Sequence, residues 1–253
     1  MSEAVLTSAA DGVLTITINR PEARNAVNRA VAEGISAAME QLDSDSSLNV
    51  GIITGAGGTF CSGMDLKAFL TGELPTVKGK GFAGFVEAPP KKPLIGAVDG
   101  YALAGGMEIA TACDLIVAND KAQFGIPEVK RSLVAAGGGL LALTDMIGKR
   151  MAMELALTGD FVTAGRAYEM GFVNRVTDRP AIEGALELAK IVAANGPLGL
   201  IASKQILNER PDWTRENMWT KQQEIAGPVL GSNDAREGAG AFAQKRKPVW
   251  TGT

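Results

Sequence analysis

A chain of 253 residues carries 25 lysines and arginines against 28 aspartates and glutamates, giving a net charge of −3 and a pI of about 5.2. With only 5% aromatic residues, that balance argues against broad electrostatic or stacking contact with nucleic acid. The chain has no histidine, which excludes Ser-His-Asp and Cys-His machinery and His-ligated metals, so acid–base work falls to carboxylates, Lys, Tyr or Cys.

The opening "MSEAVLTSAADG" has neither a basic stretch nor a long apolar one and does not read as a secretory signal. "GVLTITINRP" (12–21) is β-branched and alternating and predicts a strand ended by Pro21. Over 25–45, Val27, Ala30, Val31, Gly34, Ile35, Ala38, Met39 and Leu42 recur at helical spacing and predict an amphipathic helix. "NVGIITG" follows as a buried strand, then the glycine-rich loop "GAGGTFCSG". That loop fits neither G-x-G-x-x-G nor G-x-x-x-x-G-K-[ST] and reads as a turn between strand and helix. "DLKAFL" predicts one or two helical turns, and residues 72–92, polar and rich in glycine and proline, predict a mobile loop.

"KPLIGAVDG" predicts the next strand, "GMEIATAC" a short helix, "DLIVAND" a strand, and "KAQFGIPEV" a strand end and a turn. From "GGGLLALTDMIG" onward the pattern is mainly helical, with "FVNRVT" as one more strand. Helical stretches in 181–195, 198–208, 213–231 and near 233–245 close the chain. The sum is an α/β fold with an all-helical C-terminal region, divided softly near Gly196–Pro197 into 1–195 and 196–253. The most apolar zone, Leu94 to Ala118, is interrupted by Asp99, Glu108 and Asp114 and predicts no membrane span. Cys61 and Cys113 form neither a C-x-x-C pair nor a disulfide framework. They read as buried small apolar residues in a reducing, cytoplasmic setting.

Two carboxylates stand out. Glu108 lies among Ala, Ile, Met and Cys in "ALAGGMEIATACD", in the first turn of its helix, where the dipole favours its charge. Glu128 follows Pro127 in "FGIPEV". Each also reads as an ordinary helix-start acid, and spacing alone does not bring them together. Met64 and Gly105 open short helices and so carry unfilled backbone N–H groups. Two such donors aimed at one oxygen make an oxyanion hole, each worth ~3–4 kcal/mol, although ordinary glycine turns have the same appearance.

Taken in order, "INRPEARNA", "FCSGMDLKAF", "AVDGYALAGGMEIATACDLIVA", "AQFGIPEVKRSLVAAGGG", "AMELALTGDFVTAGRAYEMGFVNRV" and "EGAGAFAQKRKPVW" resemble the crotonase superfamily of enoyl-CoA hydratases and isomerases, over nearly the whole chain. The resemblance implies a spiral of ββα turns, with a C-terminal helical region that builds trimers or dimers of trimers and completes part of the coenzyme A site. It implies hydration of a 2-enoyl-CoA to a 3-hydroxyacyl-CoA in fatty acid or related acyl-CoA catabolism. Glu108 and Glu128 then match the catalytic carboxylates, and the N–H groups of Met64 and Gly105 the oxyanion hole. Arg24, Ser62, Asp65, Leu66, Lys67, Phe242 and Lys245 fall at coenzyme A or substrate positions, and Asp114 at a structural one. No metal or tightly bound cofactor is implied; coenzyme A enters as part of the substrate. Alternatives are 3-enoyl to 2-enoyl isomerisation, other chemistry of the same fold, or acyl-CoA binding with little turnover. Met64 stands where many relatives carry Ala, and "LLALTDMIG" where many hydratases carry T-Q-R-L. Both departures bear on the acyl group accepted.

Overall fold

The computed structural model describes residues 3–253. Two strands, β1 (Val5–Ala10) and β2 (Val13–Ile18), precede helix α1 (Arg29–Ser44) and strand β3 (Val50–Gly55). A short helix α2 (Leu66–Leu70) and a small hairpin, β4 (Thr76–Val77) with β5 (Gly81–Phe82), lead to β6 (Leu94–Val98), β7 (Tyr101–Leu103) and α3 (Gly105–Thr111). Then come β8 (Leu115–Asn119), β9 (Gln123–Gly125), α4 (Gly139–Thr158), β10 (Val162–Thr163), α5 (Ala164–Met170) and β11 (Arg175–Thr177). The chain closes with α6 (Ala181–Ala193), α7 (Pro197–Glu209), α8 (Met218–Leu230) and α9 (Asn233–Ala243).

The spiral follows from the pairing. β1, β2, β3, β6, β8 and β11 form one six-stranded sheet in that order, parallel except for the β1–β2 pair. β7 and β9 pair in parallel in a second sheet, whose antiparallel edge is β10. Each turn therefore feeds one strand into the large sheet and the next into the small one before entering a helix: β6–β7–α3, then β8–β9 and a 3-10 turn over Pro127–Arg131. Parallel strands covered on both faces must be apolar on both, and β6 (LIGAV) is buried at every position. Val50 and Ile52 pack with Ile95, Ala97, Val117 and the Ala181, Ala185, Leu188 and Ala189 face of α6, whereas Ile53 joins the opposite core with α1.

Two expectations are corrected. The helix predicted over 25–45 starts only at Arg29, because Asn28 caps it by accepting the Val31 N–H at 3.1 Å. Asn25 stays outside, fully buried at φ 56°, donating to the carbonyls of Ala56 and Thr59. Residues 72–92 are a clamped hairpin rather than a mobile loop. Lys80 Nζ donates to Ser36 Oγ at 2.9 Å and pairs with Glu40 on α1, while Ala83 and Phe85 are fully buried. Gly84 (φ 74°) lies so close to α1 that a Cβ would fall 2.2 Å from the Ala32 carbonyl oxygen.

Candidate active site

Phe60 and Cys61 run alongside the β7 segment like a further strand of the small sheet. Cys61 N–H donates to Tyr101 O at 2.9 Å, and Leu103 N–H to Cys61 O at 3.1 Å. The next residues bridge to Val27, whose N–H donates to Gly63 O and whose carbonyl accepts from Asp65 N–H. Gly63 (φ 101°) brings this segment against α3: a Cβ there would lie 3.0 Å from Gly105 N. The peptides leading into α2 and α3 thus converge. Neither Met64 N–H nor Gly105 N–H has an acceptor among the described residues. Ala104, which turns the chain from β7 into α3, holds φ 52° and ψ −127°, a conformation costing a non-glycine residue about 1–3 kcal/mol. Its own N–H is tied to Gly125 O at 2.9 Å, so the strain is held by the neighbouring turn of the spiral.

Glu108 is 5% exposed. Its Oε1 accepts two main-chain donors, Gly137 N–H at 2.7 Å and Gly139 N–H at 3.1 Å. Both donors need to be glycine: a Cβ on Gly137 would sit 2.7 Å from Glu108 Oε2, and one on Gly139 2.8 Å from Cγ. Burial pushes this carboxyl above its ordinary range, and the two amides pull it back in part.

Glu128, on the 3-10 turn after β9, is half-buried, and its Oε2 is a buried oxygen with no hydrogen-bond partner. Burial pushes its carboxyl up to about 7; its own backbone N–H and Arg131 oppose the shift, and the charge of Glu108 adds to it. Glu128 therefore lies within reach of the Glu108 charge, the meeting that sequence spacing left open. Burial raises both, but one is gripped by two amides that oppose the shift, whereas the other has an unpartnered oxygen and is raised to about 7. A carboxylate pair split in this way can supply a base and an acid at neutral pH.

Arg24, Ser62, Leu66 and Lys67 gather along one rim. Arg24, exposed at φ 51°, accepts the Ser62 N–H on its carbonyl at 3.1 Å, and Leu66 and Lys67 are exposed at the start of α2. The side chain of Asp65 is committed within the protein: Oδ1 caps α2 through the Lys67 and Ala68 N–H groups, and Oδ2 pairs with Arg20 at 2.9 Å. Its part at the rim is to fix α2. Phe242 and Lys245 are not brought to this rim by α9, which packs on α8, and Phe242 is 87% exposed. Asp114 is structural, accepting from Leu94 N–H and pairing with Lys204 of α7 at 2.6 Å. Cys61 and Cys113 are buried free thiols, and burial pushes Cys61 up to about 12.

Sequence reasoning passed over Arg20, Gly137 and Gly139. Arg20 had a signal, a lone arginine ahead of the proline in "NRPEARNA" with an acid in the following loop. The glycines act through their main chain and carry none. Among the described residues, no cluster of three or more Cys, Asp or Glu is arranged to hold a metal ion.

A family model described as enoyl-CoA hydratase/isomerase matches residues 8–253. The chain is 40% identical over 247 residues to enoyl-CoA hydratase EchA19 of Mycobacterium tuberculosis, covering 93% of this chain and 91% of that one. It is 35% identical to the 2,3-dehydroadipyl-CoA hydratase of Escherichia coli over the full length of both. Among solved structures it resembles enoyl-CoA hydratase EchA1 from Mycobacterium marinum, with a TM-score of 0.98 and 54% identity over all of both chains.

Proposed function

The chain belongs to the enoyl-CoA hydratase/isomerase family, the crotonase superfamily, and from that premise we propose how its residues do the work. It is a hydro-lyase acting on enoyl-CoA thioesters: water adds across the C2=C3 bond of a 2-enoyl-CoA to give a 3-hydroxyacyl-CoA.

In our reading the thioester oxygen accepts the N–H groups of Met64 and Gly105, which hold the charge that develops there as C3 is attacked. Glu108 takes a proton from the water as its oxygen bonds to C3. Glu128 gives its proton to C2, so the pair ends with the same number of protons that it began with. The carboxylate pair carries this proposal. Glu108 accepts two main-chain amides on one oxygen, and Glu128 is raised to about 7 beside it. The test is loss of the conjugated thioester absorbance of crotonyl-CoA. Glu108→Gln and Glu128→Gln are each expected to lower kcat by ~10²–10⁴; near-normal rates in both overturn the assignment.

Arg24 and Lys67, exposed on the α2 rim, fit the coenzyme A phosphates, with Ser62 and Leu66 along the same edge and Asp65 fixing it. Phe242 and Lys245 fit a role at a neighbouring subunit's site. The helical region 196–253 then serves as the assembly surface: α8 buries none of its residues within one chain, and Trp219 and Leu230 are 65% and 72% exposed. A trimer or dimer of trimers in sedimentation supports this part, and a monomer removes it. Acyl-CoA catabolism in the cytoplasm, where Cys61 and Cys113 stay reduced, is the setting this reading favours.

A further inference from the structure

The clamped hairpin reaches the carboxylate site through one side chain. Phe82, at the end of β5, is partly buried, and its ring lies against α3: a Cβ on Gly105 would fall 2.4 Å from its Cζ. Its own Cβ lies 3.2 Å from where a Cβ of Gly137 would be, and that position is 2.7 Å from Glu108 Oε2. Phe82 therefore spans the main chain of Gly105, at one end of the reacting group, and of Gly137, which grips Glu108 at the other. The residue is not free to swing. Ala83 N–H is bonded to Pro75 O at 3.0 Å, Phe85 is fully buried, and Lys80 ties the turn to Ser36 and Glu40.

We propose that Phe82 is a specificity-determining residue that confines this enzyme to 2-enoyl-CoA thioesters unbranched at C2 and C3. The inference rests on the hydratase reading. If the thioester oxygen lies at Gly105 N–H and C3 faces Glu108, the C2–C3 segment crosses between the points that Phe82 spans. A methyl group pointing toward the hairpin then meets a fixed aromatic ring. The wall is apolar, so it excludes by bulk rather than by charge, and one methyl in such a pocket changes selectivity by about 10–200-fold.

The experiment compares kcat/KM for crotonyl-CoA and its 2-methyl and 3-methyl derivatives in the wild type, Phe82→Ala and Phe82→Leu. The wild type is expected to favour crotonyl-CoA. Phe82→Ala is expected to lower that preference at least tenfold, and Phe82→Leu to lower it less. A merely structural role would depress all three substrates together and leave the preference unchanged; that result overturns the proposal, as does a wild type that hydrates the branched thioesters equally well. Should Phe82→Ala fail to fold, the same ratio in Phe82→Leu decides. A wild type that hydrates none of the three overturns the hydratase reading itself, an outcome distinct from hydration with an unchanged preference.

Discussion

Gly137 donates its backbone N–H to Oε1 of Glu108 at 2.7 Å, and the space that a side chain on Gly137 would fill is taken by the other oxygen of the same carboxylate. The glycine both orients Glu108 and yields room to it. Two amides on Oε1 leave Oε2 outside their grip, so the carboxylate is set in one rotation.

Gly137→Ala tests that arrangement. The added methyl must push Glu108 aside, and a displacement of about 1 Å at a catalytic group costs roughly 10²-fold in rate. We expect kcat for crotonyl-CoA to fall about 10- to 100-fold with KM changed only a few-fold, because the rim proposed to hold coenzyme A is untouched. Steady-state kinetics separates the two parameters. A rise in KM at constant kcat contradicts the positioning role.

Activity should fall at alkaline pH. If Glu128 donates its proton to C2, kcat/KM declines as pH rises through about 7, where burial and then Glu108 have raised its carboxyl. On the acid side, activity declines as Glu108 gains a proton. A profile flat between pH 6 and roughly 8.5 would remove Glu128 as the donor.

The same shift predicts a stability effect. With its folded value raised to about 7 and its unfolded value near 4.5, the folded state holds the Glu128 proton more tightly. Stability from this group is complete below the unfolded value and is lost as pH rises through the folded one. Glu128→Gln keeps a neutral side chain throughout. Its Tm should therefore gain on the wild type as pH rises from about 4.5 to about 7, then stay level. Thermal melts at several pH values read this directly; a constant difference would contradict it.

Asp65→Asn should weaken the rim. The substitution removes the charge from the pair with Arg20, whose side chains are 20% and 15% exposed, and weakens the cap on α2. Charged hydrogen bonds and caps of this kind contribute about 1–3 kcal/mol, and for a chain of this size each kcal/mol lowers Tm by roughly 2–4 °C. KM for crotonyl-CoA should rise while kcat holds, because Lys67 and Leu66 lose their fixed helix. An unchanged Tm and KM would contradict this account.

The large parallel strands and both glutamates are legible in the sequence because they depend on local pattern: β-branched runs for β2 and β3, an acid set among apolar neighbours for Glu108. The second sheet is only partly so. β9 falls on the strand end read in "KAQFGIPEV", but β7, three residues long, is too short for alternation to register, and only its pairing across the spiral makes it a strand. The hairpin at 76–82 is hidden for a similar reason. Its glycines and lysines look mobile until Lys80 finds Ser36 and Glu40 on a helix some forty positions earlier. The convergence of Glu108 with Glu128 and the grip of Gly137 and Gly139 are tertiary as well. The family resemblance supplied the spiral and the pairing of the glutamates, which the residue pattern had left open.

The grip on Glu108 is made by peptide groups alone, and peptide groups do not mutate. As long as Gly137 and Gly139 keep their backbone path, substitution of neighbouring side chains leaves the orientation of that carboxylate intact. Phe82 and the side chain of Met64 are under no such protection. On the reading proposed above, drift at those two positions alters which acyl groups are admitted while the main-chain hold on Glu108 passes unchanged to descendants. In such a lineage, new substrates are reached more readily than new chemistry.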